Sequence, residues 1–210
     1  MLLPYHSIEA PCRSRLEIEK SLFIADAAPV SSPEEARAFW DGRRKEFRDA
    51  THHCFACRTG IGQSWEKSSD DGEPQGTAGH PMLGVLQKQD LTNVVIIVTR
   101  YFGGIKLGAG GLARAYSGAA AQVISEAPRL LFSPHVRCTV TFPYPMVGLM
   151  ENALTGTDLI VTDRQFTDAV CFTILFPSPS YEAEAARLRE LTNGRMHLEE
   201  MGEEYVPLKE

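Results

Sequence analysis

The sequence predicts an α+β fold in two domains, residues 1–130 and 131–210, and three observations carry that prediction. Apolar residues alternate in some segments and recur at steps of three and four in others, so strands and helices are mixed along the chain. Past residue 131 the segments follow the order βαββαβ, the ferredoxin-like split. The charge changes at the same boundary. Residues 1–60 hold nine acids and nine bases, residues 61–130 six and six, and residues 131–210 twelve and six, so the whole net charge of −6 lies in the last 80 residues.

In order along the chain, residues 16–27 alternate imperfectly and read as a first strand. Ser32 caps the next element, with Pro33 at the first helical position and Glu35 completing a capping box, and that helix runs to about Arg48. Residues 51–59 and 63–69 read as a hairpin around Gly60-Ile61-Gly62. Beyond the turn at 70–76, Thr77 caps a short helix through Leu86 that tolerates Pro81 in its first turns. Residues 93–101 are an apolar, β-branched run suited to a central buried strand. Leu112, Ala115, Tyr116, Ala119, Ala120, Val123, Ile124 and Ala127 then set one apolar helix stripe against a sheet. The other side of that helix, Ser117, Gly118, Ala121 and Ser125, is small enough to admit a close neighbour, whether a packed element or a ligand. Pro128 and Pro134 punctuate the boundary. The second domain reads as strand 135–142, helix 145–154, strands 159–166 and 169–176 joined at Thr167-Asp168, helix 181–191 ended by Asn193-Gly194, and strand 196–205.

Composition excludes several classes. At 43% hydrophobic and 23% charged residues the chain is neither disordered, collagenous nor a disulfide scaffold. The longest aliphatic run, Val94 to Val98, falls far short of the roughly 20 residues of a membrane helix. The first residues lack the basic start and long apolar core of a secretory signal, so a cytoplasmic protein is expected. Cys12, Cys54, Cys57, Cys138 and Cys171 are an odd number in a chain large enough to need no staples, and reduced thiols are expected, with Cys138 and Cys171 in the core.

Glycine concentrates the chemistry: eleven of the 17 fall between Gly60 and Gly111. In one stretch, a strand ending in Arg100 passes through Gly103, Gly104, Lys106, Gly108, Gly110 and Gly111 into a helix that carries Arg114 in its first turn. Unpaired N–H groups, a positive helix end and three cations suit an anion or nucleic-acid phosphate. The spacing is neither that of a Walker loop nor of a dinucleotide fingerprint, and a glycine turn needed only for backbone conformation gives the same pattern. In the other stretch, Asp70, Asp71 and Glu73 gather three carboxylates in four residues. Like charges that close raise one another's pKa, the setting for acid/base or metal chemistry, while Asp-Asp-Gly-Glu-Pro is also ordinary turn chemistry. A third reading has these acids pair with Arg100 or Arg114 and lock the two loops. His52, His53, Cys54 and Cys57 do not read as zinc ligands, because strand alternation sends His52 with Cys54 to one face and His53 with Cys57 to the other. No metal and no cofactor is expected, and His80 reads as a capping or solvated side chain.

The strings from Asp70 to Gly79 and from Arg100 to Tyr116, with Lys20-Ser21-Leu22-Phe23-Ile24-Ala25 and Ala50-Thr51-His52-His53-Cys54, closely resemble the YigZ/IMPACT family over residues 16–127. Cys57 departs from the family pattern, standing where an aromatic is expected. The resemblance implies a first domain of the ribosomal protein S-five domain-2-like type and a second, ferredoxin-like domain similar to the last domain of elongation factor G. Eukaryotic IMPACT restrains a stress-responsive kinase by competing for that kinase's ribosome-associated activator. It has an extra N-terminal domain that is not expected here, so that partner is not carried over, and the family brings no catalytic residue with it.

The leading expectation is a translation-linked regulatory protein that binds RNA, the ribosome or a translation-associated protein through the Arg100–Arg114 loop. An enzyme acting on a phosphorylated small molecule or nucleotide would instead show a closed pocket holding Asp71, Glu73, Lys106 and Arg114. A non-catalytic protein-interaction module would show neither. The acidic second domain, with eight acids against four bases in the last 30 residues, is not expected to meet a polyanion.

Overall fold

A computed structural model describes residues 2–62 and 64–209. The chain divides into two compact units, one built on Tyr5–Leu131 and the other on Phe132–Pro207. The fold is mixed α and β in both.

The first unit begins with strand β1, Tyr5–Ile8, whose Ile8 enters the core. Strands β2, Cys12–Ile18, and β3, Ser21–Pro29, form a hairpin where the sequence had suggested one strand over 16–27. Its two-residue turn is Glu19-Lys20, with φ of 47° and 63°. Such turns usually carry Asn or Gly, so no turn signal was there to read. Helix α1, Pro33–Glu46, is capped as its sequence predicts: the Glu35 amide donates to Ser32 Oγ at 3.2 Å. The Glu35 carboxylate in turn accepts from the Ser31 amide at 2.7 Å.

Strands β4, His52–Thr59, and β5, Trp65–Ser69, make the second hairpin; the predicted start of β5, Gln63, lies outside the described residues. Helix α2 spans Gly79–Lys88, strand β6 Val94–Tyr101 and helix α3 Gly108–Glu126. The sheet order is β2-β3-β6-β4-β5, antiparallel throughout. Helices α2 and α3 bury one sheet face, with Phe23, Met82, Leu86, Ile96, Leu112 and Tyr116 among the packed side chains. Helix α1 covers part of the other, over Cys57, Val95 and Ile97. On the small side of α3, Ala121 and Ser125 are exposed and Gly118 faces Leu16, so this side packs against β2 at one end only.

Strand β7, Arg129–Phe142, carries the chain into the second unit, followed by helix α4, Val147–Leu154, strands β8, Ile160–Phe166, and β9, Val170–Pro177, helix α5, Tyr181–Leu191, and strand β10, His197–Lys209. Strand β9 pairs with β7 and β8, and β10 pairs with β7. Period-two alternation puts Val136, Cys138, Val140 and Phe142 of β7 and Val170, Phe172, Ile174 and Phe176 of β9 beneath α4 and α5. The same alternation corrects one expectation: Cys171 points to the opposite face and is half-buried, while Cys138 is core. Asn193 and Gly194, with φ of 50° and 71°, terminate α5, and the Gly194 amide donates back to the Arg189 carbonyl at 2.9 Å. Among the described residues no helix is long and apolar enough to cross a membrane.

Candidate functional site: two glycine-rich loops around a buried ion pair

Three neighbouring strands set the site's floor. Arg100, near the end of β6, lies opposite Phe23 of β3 on one side and His52 of β4 on the other. Tyr116 of α3 packs edge-on against Phe23 at 5.3 Å between ring centroids. Into this corner the turn after β5 lowers Glu73. Its Oε1 accepts from Arg100 Nη1 at 2.6 Å and from the Tyr116 hydroxyl at 2.8 Å. Arg100 is 5% exposed and Glu73 8%, so the two charges neutralise each other almost out of water. Arg100 Nη2 also donates to Ser21 Oγ at 3.3 Å, and its guanidinium lies between the rings of Phe23 and Phe102, 5.4 Å from each centroid. Burial pushes the Tyr116 phenol far up, with nearby Cys54 and Glu73 adding to it, so this hydroxyl stays protonated and donates.

The three carboxylates therefore do not act together. Asp70 organises the start of α2: Oδ1 accepts from the amides of Ala78 and Gly79 at 2.9 and 2.8 Å, and Oδ2 from Gly76 at 2.8 Å. Thr77, the predicted cap, instead donates its hydroxyl to the Pro74 carbonyl at 2.6 Å. Burial works against ionisation of Asp70, but the amides of Gly76, Gly79 and Ala78 outweigh it and hold its carboxyl below the usual range. This is opposite in sign to the mutual raising that adjacent acids suggest, because each acid has its own partners. Asp71 accepts from the His53 amide at 2.7 Å and pins the turn to β4. Among the described residues no group of three or more His, Cys, Asp or Glu is placed to hold a metal ion.

His52 and Cys54 share one sheet face, and His53 and Cys57 point to the other, as alternation requires. His52 Nδ1 sits 2.8 Å from the Asp71 carbonyl, which makes Nδ1 the donor, and Nε2 lies 3.9 Å from Glu73 Oε1. Cys54 is wholly buried, its thiol donating to the Asp70 carbonyl at 2.9 Å. Burial pushes that thiol far up, so it makes no nucleophile beside His52. His80 is exposed at the start of α2.

The second glycine loop closes over this corner. Gly103 has no room for a side chain: a Cβ there would lie 2.0 Å from the Lys20 carbonyl carbon and oxygen, while its amide donates to Ser21 Oγ at 3.2 Å. Gly104 and Gly108 hold φ of 88° and 70°. Gly110 and Gly111 lie in the first turn of α3, whose N-cap residue Leu107 supplies no side-chain acceptor, so the leading amides of a 19-residue helix stay unclaimed by protein side chains. They open on a cavity of about 410 Å³ lined by Thr51, His52, Glu73, Arg100, Lys106 and Gly108, among others. A neighbouring cavity of about 580 Å³ is lined by Lys106, Gly111 and Arg114. Lys106 and Arg114 are exposed and make no ion pair among the described residues. Beside them Phe102 is 47% exposed. The sequence marks Tyr116 only as part of the apolar stripe of its helix, and gives Phe102 and Ser21 no role at the site. The one signal for the aromatic pair is a phenylalanine directly before the Gly-Gly pair, with a tyrosine about two turns into the following helix.

Two domain families match. The model for the Impact N-terminal domain matches residues 19–124, and that for a domain of unknown function (DUF1949) matches residues 140–195. The chain is 35% identical over 204 residues to IMPACT family member YvyE of Bacillus subtilis, covering 95% of this chain and 92% of that one. It is 33% identical over 191 residues to IMPACT family member YigZ of Escherichia coli, covering 90% and 94%. With the protein IMPACT homolog of Saccharomyces cerevisiae it shares 38% identity over 93 residues, 42% of this chain and 35% of that one. A solved structure described as that of a hypothetical protein superposes with a TM-score of 0.62 at 32% identity, over 94% of this chain and 97% of the other.

Proposed function

This chain belongs to the IMPACT family, and from that premise we propose that it is a translation-linked regulatory protein that binds RNA through the loop from Phe102 to Arg114. One observation carries the reading: the uncapped start of α3 opens on a cavity beside two cations that lack carboxylate partners among the described residues, with an exposed aromatic ring at its edge. Helix-end amides and Lys106 suit a phosphate, Arg114 suits the next one, and Phe102 offers a face on which a base can stack. Arg100 serves differently, since its charge is already met by Glu73; it holds the two glycine loops together beneath the binding surface. The βαββαβ order of the second unit, with β10 beside β7, supports a ferredoxin-like domain similar to the last domain of elongation factor G. The first unit is read as the ribosomal protein S-five domain-2-like type. Both types recur in translation proteins, which agrees with the reading at the level of fold.

The test is fluorescence anisotropy with a labelled eight-nucleotide oligouridylate, together with co-sedimentation with ribosomes at low salt. Saturable binding is expected. Lys106→Glu with Arg114→Glu should weaken it at least tenfold, and the slope of log affinity against log salt should fall by about 0.7 per lost phosphate contact. Phe102→Ala should lose about 1–3 kcal/mol of binding. Absence of both RNA binding and ribosome association at low salt would sink the proposal. The phosphorylated-small-molecule reading keeps Glu73, Lys106 and His52 in one cavity, but Asp71 is engaged with His53 and Arg114 lines the neighbouring cavity. Tighter binding of a mononucleotide than of the oligomer would favour it.

A further inference from the structure

On the opposite face of the first unit's sheet lies a further concavity, a groove of about 580 Å³ between α1 and β5. Strand β5 is the outermost strand of its sheet, so one side of its backbone has no partner strand among the described residues. The register pairs Ser69 with Phe55, Lys67 with Cys57 and Trp65 with Thr59, which puts Trp65, Lys67 and Ser69 on the face that α1 only partly covers. Trp40 forms the inner wall. Its indole N–H donates to the His53 carbonyl at 2.8 Å, and its ring packs against Phe55 at 5.1 Å. Trp65 at the rim is 40% exposed.

The groove's charge is as particular as its shape. In a chain of net charge −6, three exposed cations, Arg37, Arg44 and Lys67, line it against a single acid, Glu34. Arg44 and Lys67 have no carboxylate partner among the described residues and lie instead over the rings of Trp40 and Trp65, at 4.8 and 6.0 Å. The unpaired strand edge offers a hydrogen-bond ladder that only another backbone can complete.

We propose that this groove is a docking site for an extended acidic peptide of a partner protein, which adds as a strand to β5. Alternate side chains of the peptide point into the groove, apolar ones onto Trp40, Phe55 and Trp65 and carboxylates onto Arg44 and Lys67. The site shares no residue with the α3 loop, so it stands or falls apart from RNA binding.

The chain's two tryptophans both line the groove, so occupancy should shift intrinsic fluorescence directly. The probe is a labelled octapeptide repeating Val-Thr-Glu-Thr, titrated into the full chain by anisotropy and tryptophan emission. Expected is saturable binding that weakens at least tenfold with Arg44→Glu plus Lys67→Glu, both exposed positions, and with lysine in place of glutamate in the peptide. Methylating one alternate set of peptide amides should abolish binding and methylating the other set should spare it, since a strand bonds through one edge. No emission change at millimolar peptide, indifference to charge reversal, or equal effects of the two methylated sets would overturn the proposal. So would tighter binding of the eight-nucleotide oligouridylate at this groove, read as an emission change that survives Lys106→Glu with Arg114→Glu.

Discussion

The pair formed by Glu73 and Arg100 should behave as one unit. Both side chains are nearly inaccessible and meet at 2.6 Å, with Tyr116 donating to Glu73 and Ser21 accepting from Arg100. Glu73→Leu alone leaves a guanidinium buried without its counter-charge, and Arg100→Met alone leaves a carboxylate so. Removing one partner of such a pair costs about 3–5 kcal/mol, whereas replacing both by apolar groups of similar volume is close to neutral. At about 3 °C per kcal/mol for a unit of this size, each single change should lower Tm by roughly 10–15 °C. The double variant should return most of that loss. Urea unfolding followed by tryptophan emission is the assay, since Trp40 and Trp65 both belong to the first unit and report it selectively. Tyr116→Phe, which leaves the ion pair intact, should cost only about 1 kcal/mol. Single variants within about 1 kcal/mol of wild type, or a double variant equal to their sum, would refute the account of a closed buried pair. RNA affinity supplies a second check: the double variant should bind the oligomer like wild type, because Arg100 presents no free charge.

Three further outcomes follow from the geometry. Gly103→Ala should be severely destabilising, because its Cβ would collide with the Lys20 backbone; Gly84→Ala, inside α2 with nothing within 4 Å, should stabilise by about 1 kcal/mol. Chemical denaturation of the two variants side by side reads both. Asp70 has a folded pKa below its unfolded one, so its contribution is present above the unfolded pKa and disappears as pH falls through the folded one. Stability curves of the first unit should therefore lose an acid-sensitive component below about pH 4 in Asp70→Asn, and an unchanged pH profile would contradict its capping of α2. Cys54 and Cys57 should resist alkylation at pH 8 in the native protein, since burial pushes the Cys57 thiol up to about 12 and the Cys54 thiol further. The half-buried Cys12 and Cys171 should react first by peptide mass mapping.

Local features were legible in the sequence because they depend on near neighbours. The cap at Ser32, the stripe of α3, the Asn193-Gly194 stop and the order of elements after residue 131 each rest on residues within a few positions of one another, where backbone sterics and helical or strand periodicity decide. Where a local signal was missing, the reading slipped: Glu19-Lys20 turns a hairpin without glycine or asparagine, and Asp70, eight and nine positions away, displaced Thr77 as the organiser of α2. The site's inner logic is non-local throughout. Glu73 reaches Arg100 across 27 residues and Tyr116 across 43, and Arg100 meets Ser21 across 79. Composition and spacing placed acids, bases and glycines in two loops and left open which would pair and which would stay free. Only packing could choose. Pleating of β3, β6 and β4 puts Phe23, Arg100 and His52 on one face, and the low dielectric there admits a charge only with its opposite beside it, so Arg100 is consumed while Lys106 and Arg114 remain in water.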